Sequence, residues 1–449
     1  MKKKLSVVLS LILVLFTIMS ATVLPAAAVS YTNDVKLKSK TALLINLDTG
    51  QTVFSEKADV KRYPASTTKI MTYIIVVENV DNLEKTKVKV KQSVLNSLKG
   101  TGSSSAGLQD HVNEKLSVLD LLYCMMVPSG NDAAMVLADY VGKGNIKSFV
   151  DMMNDKAKEL GCKNTHFENP DGLHNENHYT TAIDLAKMAQ YALTLPEFAK
   201  ITNTDTFYLA DNDYPLVTTN YLIDANRGGD YYYQYAQGIK TGTTDEAGHC
   251  LVTKGEADGY SYLGVFMMNP IKDPDEYGTM IDAKNLFKWA LTELELNQVA
   301  SSETPMCEVK VNLAWGKDSV QLVPQKSINA IVPTSYKDSD IVVETKVPES
   351  VDASINEGDV IGKATVYYNG PDSDGKQKIG VVNLVSSETI ERSGILYVFS
   401  IIQGIVASNW FVLVIVLIII LLVIYIIISS IVKRRNRKRK RNVKHYRNF

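Results

Sequence analysis

The stretch PASTTKIMT, residues 64–72, opens a predicted helix with a serine and a lysine three positions apart. A three-residue step on a helix places two side chains on one face, so Ser66 and Lys69 can touch. A serine hydroxyl is a weak nucleophile unless a base removes its proton, and a lysine is such a base only when burial or a nearby positive charge lowers its pKa. The pair predicts nucleophilic catalysis by Ser66 with Lys69 as its base. The same spacing occurs at residues 373–376 and 430–433, so the pair needs support from other motifs.

A second polar motif, SGN at residues 129–131, follows an apolar helical stretch that Pro128 and Gly130 interrupt. The interruption lets the side chains of Ser129 and Asn131 point into a cleft. A helix cap uses the same residue types, so the motif alone does not decide between the two interpretations. Its position between two other motifs is what favours a catalytic role.

The third motif, KTG at residues 240–242, occurs once in the chain and follows a strand-like stretch. A strand edge offers backbone pairing to an extended peptide, and Gly242 lets that peptide approach closely. Lys240 and the hydroxyls of Thr241 and Thr243 suit a carboxylate. Taken alone, this motif is equally compatible with a solvated strand end. The order S-x-x-K, S-x-N and K-T-G favours the active site of a serine enzyme.

Hydrophobic periodicity places these motifs in one mixed domain. Strand patterns at residues 41–55 and 250–268 enclose a region of helical periodicity, and an amphipathic helix over residues 280–294 closes the domain. The enclosed helical stretches are residues 66–80, 118–140, 146–160 and 182–193. Residues 307–385 show only short alternating runs, which are typical of a small all-β domain. The predicted class is α+β, a helical cluster plus an antiparallel sheet, followed by β structure.

The two ends of the chain predict export and membrane anchoring. Three lysines, an apolar run and the alanines at residues 26–28 are typical of a cleaved signal peptide. Residues 410–432 carry no charge and suffice to cross about 30 Å of hydrocarbon as a helix, and a run of Lys and Arg follows at once. Positive charge stays on the cytoplasmic side. Residues 29–409 are therefore expected on the extracytoplasmic face of the cell membrane, with the C-terminus inside.

The distribution of charge excludes one class of partner. The formal net charge is −1, but 13 of the 48 Lys and Arg residues lie at the two ends of the chain. The middle of the chain is therefore acidic and is not expected to bind nucleic acid. The basic tail is expected to stop transfer through the membrane and to attract anionic lipid.

The cysteines and histidines predict no metal site and no cofactor. The four cysteines, Cys124, Cys162, Cys250 and Cys307, lack metal-ligand spacing, and no disulfide is predicted. Cys124 lies in an apolar helical stretch and is expected to be a buried free thiol. The segment HNENH at residues 174–178 lacks the glutamate that a zinc protease places beside its first histidine. A polar surface loop is the expected structure there.

Four stretches together resemble the low-molecular-mass penicillin-binding proteins, the serine-type D-alanyl-D-alanine carboxypeptidases of peptidase family S11. They are residues 64–72, PSGNDAA at 128–134, FENPDGL at 167–173 with YTTA at 179–182, and GIKTG at 238–242. The resemblance spans about residues 35–295. It implies a catalytic domain with the β-lactamase/transpeptidase-like fold. The β domain resembles the C-terminal domain of the family more loosely.

The resemblance implies a serine acyl-enzyme formed from the peptidoglycan stem peptide, with release of the terminal D-alanine and hydrolysis by water. β-Lactams are expected to acylate the same serine and inhibit the enzyme. Carried over by motif, the resemblance implies that Ser66 is the nucleophile and Lys69 its base, and that Ser129 and Asn131 relay a proton and position the substrate. It implies that Lys240 is the electrostatic partner of the substrate and that Thr241, Gly242 and Thr243 bind it. The implied oxyanion hole uses the backbone N–H groups of Ser66 and Thr243.

Two departures from the family pattern bear on function. The family usually places an arginine before the last helix of the catalytic domain to hold the terminal carboxylate of the substrate. Residues 277–280 contain none, and Thr279 lies near that position. Lys240 or Arg227 is the expected substitute. Relatives often end in an amphipathic helix that lies on the membrane, whereas this chain is expected to span it.

The same features set the domain boundaries and the alternative functions. The predicted segments are a signal peptide at residues 1–28, a catalytic domain at 35–295, a β domain at 300–391, a linker at 392–409, a transmembrane helix at 410–432 and a basic cytoplasmic tail at 433–449. A non-catalytic penicillin-binding wall sensor is the main alternative, because the arginine is missing. A β-lactamase is less favoured because the chain has no E-x-x-L-N segment.

Overall fold

The computed structural model describes residues 31–209, 214–271, 277–373 and 375–445, with side chains as far as residue 437. The predicted signal peptide lies outside these ranges. The chain divides into two compact units. Unit 1 extends to Ala300 and also contains Ser327–Glu344 and Thr365–Val381. Unit 2 comprises Ser301–Lys326, Thr345–Ala364 and the chain from Val382 onwards.

Unit 1 is built on an antiparallel sheet of five strands in the order β2-β1-β9-β8-β7. The strands as far as residue 269 are β1 (Thr41–Asn46), β2 (Thr52–Glu56), β3 (Lys87–Lys89), β4 (Lys115–Ser117), β5 (Thr206–Phe207), β6 (Leu216–Val217), β7 (Ala236–Thr244), β8 (Gly248–Ala257) and β9 (Tyr260–Asn269). Two small hairpins, β3 with β4 and β5 with β6, lie outside the main sheet. The hairpin predicted at residues 41–55 is present as β1 and β2.

In the described residues of unit 1, eight helices accompany this sheet. They are α1 (Lys69–Glu78), α2 (Gln92–Leu95), α3 (Val118–Met126), α4 (Asn131–Val141), α5 (Ile146–Glu159), α6 (Ala182–Ala192), α7 (Phe198–Thr202) and α8 (Gly278–Glu293). Residues 69–76 of α1 are all buried, as expected for a mainly apolar helix that lies within a helical cluster. The helical stretch predicted at residues 118–140 forms two helices, because residues 127–130 between α3 and α4 are not helical.

The sheet is covered on both faces, which explains the unbroken apolar run of β1. Successive side chains of a strand point to opposite faces. Leu43 packs in the core formed with the helical cluster, whereas Ala42 and Leu44 pack in a second core with Phe287 of α8. The two cores hold the strand that carries the KTG motif at one edge of the sheet, beside the start of α1.

The predicted boundary at residue 300 does not separate all later strands from unit 1. β10 (Leu294–Ala300) pairs antiparallel with β13 (Ile328–Pro333), and both belong to unit 1. Ile331 N donates to Gln51 Oε1 over 2.9 Å, and Gln51 Nε2 donates back to the Ile331 carbonyl over 2.8 Å. These bonds attach β13 to the first hairpin of the described chain. The domain boundaries given above remain a prediction.

Unit 2 contains β structure and two helices. β11 (Cys307–Asn312), β12 (Ser319–Pro324) and β15 (Ser350–Asp352) lie wholly within it, whereas β14 (Ile341–Lys346), β16 (Val360–Tyr368) and β17 (Gln377–Ser386) have residues in both units. Within unit 2 the strands pair in the order β15-β11-β12-β17. The helices are α9 (Gly394–Ala407) and α10 (Asn409–His445). Most of the predicted linker is therefore helical.

One residue, Ser408, separates α9 from the candidate membrane span. Residues Asn409–Arg437 of α10 have a mean hydropathy of 3.9 in their most apolar window, and none of that window is buried. This helix contains the predicted transmembrane segment at residues 410–432. Its length and composition suffice to cross a membrane.

Candidate active site

Ser66 and Lys69 meet at the start of the central helix. A 3₁₀ turn, Ala65–Thr68, leads directly into α1, which begins at Lys69. Lys69 Nζ donates to Ser66 Oγ over 2.8 Å. The hydroxyl and the amine are therefore in direct contact, as the three-residue spacing predicts.

Two further acceptors complete the surroundings of the Lys69 amine. Nζ donates to Asn131 Oδ1 over 2.7 Å and to the Asp171 carbonyl over 2.8 Å. The side chain of Lys69 is 0 % exposed. Burial lowers the pKa of Lys69 from 10.5 to about 8, against the opposing effect of the Asp171 and Asp132 carboxylates. An appreciable fraction of Lys69 is therefore neutral near pH 8, which a general base requires.

The SGN motif occupies the break between α3 and α4. Ser129 has a left-handed backbone with a φ of 66°, and α4 begins at Asn131. Gly130 is crowded, because a Cβ there would lie 2.7 Å from both the Cys124 carbonyl oxygen and Asp132 Oδ1. The close packing holds Asn131 against Lys69 and leaves Ser129 lining the cleft.

Strand β7 carries the KTG motif past the nucleophile. A Cβ on Gly242 would lie 2.8 Å from Ser66 N, so only glycine lets the strand run this close. Thr241 Oγ1 is hydrogen-bonded to Thr219 Oγ1 at the cleft wall. The motif therefore presents its backbone and its first threonine hydroxyl close to Ser66.

Lys240 is buried beneath this strand. Its side chain is 2 % exposed, and Nζ donates to the Thr241 carbonyl over 3.1 Å. Burial, and then the nearby positive charge of Lys69, lower the pKa of Lys240 well below 10.5. Lys240 is not among the described residues that line the cleft. Its position supports the KTG strand from below.

These groups surround a cleft of about 740 Å³ in unit 1. Ser66, Ser129, Thr241 and Thr243 all line it. Thr243 Oγ1 is hydrogen-bonded to His249 Nδ1 at 2.9 Å. A cavity of this volume accommodates the end of a short peptide.

Comparison with known proteins identifies the arrangement. Residues 27–270 match the model of a family described as D-alanyl-D-alanine carboxypeptidase. The chain belongs to the D-alanyl-D-alanine carboxypeptidase family. Residues 295–392 match a second family, the C-terminal domain of penicillin-binding protein 5. The predicted family and the predicted α+β fold class are both confirmed.

Individual relatives are similar to this chain over most of their own length. D-alanyl-D-alanine carboxypeptidase DacF of Bacillus subtilis is 30 % identical over 342 residues, 76 % of this chain and 84 % of that protein. DacA of Haemophilus influenzae, which has the same descriptive name, is 28 % identical over 368 residues, 80 % of this chain and 87 % of that protein. The crystal structure of penicillin-binding protein 5 from H. influenzae is similar with a TM-score of 0.62 and 26 % identity, covering 80 % of this chain and all of that one.

A guanidinium lies at the cleft surface of this carboxypeptidase-family member. Arg227 is the sole Lys or Arg among the described residues that line the cleft. Its Nε donates to Asp224 Oδ2 over 2.6 Å, and Nη2 donates to the Thr218 carbonyl over 2.9 Å. The guanidinium carbon lies 5.9 Å from the centre of the Tyr221 ring. Thr279, near the position where the family usually has its arginine, lines the same cleft.

The contact of Asp171 with Lys69 in this family member was not predicted from the sequence. Its carbonyl oxygen, not its carboxylate, accepts the hydrogen bond from Lys69, and a backbone carbonyl leaves no mark in the residue type. Gly172 follows with a φ of 87°, and a Cβ there would lie 1.9 Å from the Ala65 carbonyl oxygen. The phrase PDG at residues 170–172 was the available signal, because this close approach to the nucleophile turn requires glycine.

A second missed residue is Asp132, in the first turn of α4. Its carboxylate accepts from Ala106 N, Leu108 N and Ser105 Oγ over 2.6–3.0 Å. The preceding residue of that loop, Ser104, donates through Oγ to the Ser129 carbonyl over 2.5 Å. Asp132 thereby holds the loop that supports the SGN motif. An acid after a helix start was visible in the sequence, but its partners, which lie 24–27 positions away, were not.

The histidine segment at residues 174–178 divides between surface and core. Residues 174–177 are exposed, as predicted for a surface loop, but His178 is 2 % exposed. Burial lowers the pKa of His178 to about 3, so the ring is neutral, and Glu168 N donates to Nδ1. Nε2 therefore carries the proton and donates to Thr68 Oγ1 over 2.8 Å. His178 supports the nucleophile turn.

The remaining candidate ligands form no metal site in the described residues. No group of three or more His, Cys, Asp or Glu in those residues is arranged to hold a metal ion. All four cysteines are free, and Cys124, Cys162 and Cys250 are buried. Burial raises the pKa of the Cys124 thiol far above its usual value, which makes it unreactive.

Proposed function

We propose that this protein is a serine-type D-alanyl-D-alanine carboxypeptidase that removes the terminal D-alanine from peptidoglycan stem peptides. The observation that carries the proposal is the 2.8 Å contact between Lys69 Nζ and Ser66 Oγ, in a cleft bordered by the SGN and KTG motifs. Membership of the family supports the same reaction. The substrate is the D-alanyl-D-alanine end of a stem peptide, and β-lactams acylate the same serine.

The surroundings of Lys69 are suited to taking the Ser66 proton. A neutral amine has two N–H groups and one lone pair. Asn131 Oδ1 and the Asp171 carbonyl accept the two N–H groups, which directs the lone pair toward Ser66 Oγ. Ser66 Oγ then bonds to the carbonyl carbon of the penultimate D-alanine as its proton moves to Lys69. Lowering the pKa of Lys69 by burial makes this neutral form available near neutral pH.

Acylation ends with departure of the terminal D-alanine. Its nitrogen must gain a proton, and the hydroxyl of Ser129, which lines the cleft, is the proposed relay for the proton that Lys69 took from Ser66. The tetrahedral oxyanion is stabilised by the backbone N–H groups of Ser66 and Thr243, which β7 brings together. Water then attacks the acyl-enzyme, with Lys69 again accepting a proton, and Ser66 is restored as the shortened peptide leaves.

Arg227 is proposed to hold the terminal carboxylate of the substrate together with Thr241. Lys240 is buried and supports the KTG strand electrostatically, so the guanidinium is the available cleft-surface cation in the described residues. Thr218, whose carbonyl binds Arg227, precedes Thr219, whose hydroxyl binds Thr241. The cation and the threonine pair are thus neighbours, so that one substrate carboxylate can contact both.

Release of D-alanine from diacetyl-lysyl-D-alanyl-D-alanine tests the proposal directly. The full chain, solubilised in detergent, is expected to release D-alanine, and Ser66→Ala is expected to release none. Labelling of both proteins with a fluorescent penicillin separates the competing function. If the parent is labelled at Ser66 but releases no D-alanine, the protein is a penicillin-binding sensor or acts on a different peptide.

The placement in the cell is also proposed. Residues 1–28 direct export and are removed, α10 crosses the membrane once, and the catalytic unit lies on the extracytoplasmic face with the basic tail inside. Charge supports this orientation, because Lys and Arg follow the apolar segment directly. Protease added to intact cells is expected to remove the catalytic unit and to leave an epitope at the C-terminus intact. Loss of that epitope in intact cells would contradict the orientation.

A further inference from the structure

A histidine lies beside the cleft hydroxyl at the end of the KTG strand. Thr243 is exposed on β7 and lines the cleft, and His249 is the residue directly opposite it on β8. Directly opposite residues of antiparallel strands place their side chains on the same face of the sheet. His249 Nδ1 is hydrogen-bonded to Thr243 Oγ1 at 2.9 Å. The two side chains therefore form a pair at the cleft end of β7.

The imidazole ring of His249 is buried and neutral. His249 is 5 % exposed, and the centre of its ring lies 5.1 Å from the centre of the Tyr277 ring. Burial lowers the pKa of His249 below its usual value of 6.5, so the ring is neutral at neutral pH. A neutral imidazole has a single N–H, which is either at Nδ1 or at Nε2.

The surroundings of the ring distinguish these two tautomers. His249 Nε2 is buried and has no hydrogen-bond partner among the residues that the structure describes. A hydrogen on Nε2 would therefore be a buried donor without an acceptor, which is rare in proteins because its desolvation is not compensated. A hydrogen on Nδ1 has Thr243 Oγ1 as its acceptor. His249 Nδ1 therefore carries the hydrogen and donates it to Thr243.

This hydrogen bond determines which way the Thr243 hydroxyl points its own hydrogen. A hydroxyl is one donor with two acceptor lone pairs. Thr243 Oγ1 accepts from His249, and within the described ranges it makes no other hydrogen bond. Since Thr243 is exposed and lines the cleft, its O–H is available to an acceptor bound there. The bond from His249 also polarises the hydroxyl and makes it a stronger donor.

The other cleft hydroxyl of the strand has no fixed direction. Thr241 Oγ1 is hydrogen-bonded to Thr219 Oγ1, and either hydroxyl can be the donor. Thr241 can therefore donate to a bound group or accept from it. Of the two threonines on this strand, Thr243 is the one whose partner leaves its hydrogen for the substrate.

We propose that His249 is a positioning residue that makes the Thr243 hydroxyl a fixed donor to the terminal carboxylate of the substrate. It acts through Thr243 and does not touch the substrate. A hydrogen bond to a carboxylate is stronger than one to a neutral group, so a fixed donor favours peptides with a free carboxylate. This role rests on the proposed carboxypeptidase function, and it adds a directed hydrogen bond to the charge of Arg227.

Acylation of Ser66 by two penicillins tests this role in the full chain, solubilised in detergent. Benzylpenicillin has a free carboxylate one carbon from the nitrogen that leaves the acyl group, as the peptide has, and its methyl ester has this carboxylate blocked. His249→Phe keeps a flat ring without an N–H. In His249→Asn, an amide nitrogen bonded to Cγ replaces Nδ1. Thr243→Val removes the hydroxyl.

The readout is the second-order rate of acylation by each penicillin. His249→Phe is expected to lower the rate with benzylpenicillin by about 10-fold and the rate with the methyl ester by less than about 2-fold. His249→Asn is expected to restore the parent ratio of the two rates. His166→Phe is the matched control, since His166 is not among the described residues that line the cleft, and it should keep the parent ratio.

A double-mutant cycle separates positioning from a merely structural role. If His249 acts through the Thr243 hydroxyl, His249→Phe has no further effect on either rate in the Thr243→Val background. The same loss in both backgrounds, or equal losses for the two penicillins, would overturn the proposal. Parent protein that is not acylated at all would overturn the carboxypeptidase assignment and this role together, whereas an acylated parent with an unchanged His249→Phe overturns this role alone.

The tautomer of His249 is a second measurement that does not need the phenylalanine variant to fold. Nitrogen NMR of the full chain distinguishes a protonated from an unprotonated ring nitrogen, and the His249 signals are those that disappear in His249→Asn. The hydrogen is expected on Nδ1. A hydrogen on Nε2 would overturn the proposal, because Thr243 would then donate to the ring and not to the substrate.

Discussion

Replacing Asn131 with aspartate is the sharpest test of how the site activates its serine. Asn131 Oδ1 lies 2.7 Å from Lys69 Nζ, so the variant places a carboxylate against the buried amine while keeping an oxygen acceptor. An adjacent opposite charge stabilises the ammonium form and raises the pKa of a lysine by about 1–3. The new carboxylate is at the start of α4, where the helix dipole favours negative charge. The fold is therefore expected to tolerate the change.

The magnitude follows from the pKa of Lys69, which is about 8 in the parent protein. At pH 7.5 roughly one quarter of Lys69 is then neutral. An increase of about 2 in that pKa leaves only about 0.3 % neutral at the same pH. If the neutral amine is the base, acylation of Ser66 slows by roughly 75-fold at pH 7.5 and recovers as the pH approaches 10.

The assay is the second-order rate of acylation by a fluorescent penicillin, measured from pH 6 to pH 10. The parent rate is expected to rise through about pH 8, and the Asn131→Asp profile to move upward by about 2 pH units. Asn96→Asp, at an exposed asparagine without contact to Lys69, is the matched control and should retain the parent profile. An equal loss of rate at every pH would refute the reasoning, because it would mean that Asn131 only positions substrate.

Three further outcomes are expected. Gly242→Ala forces a Cβ to within 2.8 Å of Ser66 N. The rate of acylation of Ser66 is expected to fall, and urea denaturation is expected to show a loss of about 1–3 kcal/mol in the free energy of unfolding. An unchanged acylation rate and an unchanged free energy of unfolding would mean that β7 moves away without cost. Arg227→Gln is expected to lower kcat/KM by about 10- to 100-fold for a peptide that ends in a free carboxylate, which corresponds to the typical strength of a hydrogen bond to a charged group. The kcat/KM for the corresponding peptide amide is expected to stay unchanged. Equal losses for the two substrates would mean that Arg227 does not bind the carboxylate. The pKa of Lys69 is about 10.5 in the unfolded state and about 8 in the folded state, so the unfolded state binds more protons between these two pH values. The free energy of unfolding is therefore expected to rise by about 3 kcal/mol from pH 8 to pH 10.5. Lys69→Met is expected to reduce this dependence of the free energy of unfolding on pH, as measured by denaturation.

The local part of the site could be predicted because it depends on short sequence separations. A three-residue step brings Ser66 and Lys69 together on any helical turn. The break at the SGN motif follows from Pro128 and Gly130, and the close approach of β7 follows from Gly242. The ordered motifs were sufficient to indicate the family, which the comparisons confirm.

Contacts between distant segments could not be predicted from one sequence. Lys69 meets a carbonyl 102 positions away, and a backbone carbonyl is the same for every residue type. Lys240 and Arg227 were both expected as candidates for holding the substrate carboxylate, and the sequence could not distinguish them; Lys240 is 2 % exposed, whereas Arg227 lines the cleft. His178 was expected in a surface loop, yet it is buried against Thr68.

The sequence by itself determined the serine and lysine pair, the mixed fold class and the apolar segment at the C-terminus, because each is written in the spacing or composition of neighbouring residues. The tertiary structure decided which cation reaches the cleft, which loops hold the Lys69 amine, and that β13 binds Gln51 from 280 positions away. Strand pairing and the burial of polar groups set these contacts. Both depend on what the rest of the chain places opposite each residue.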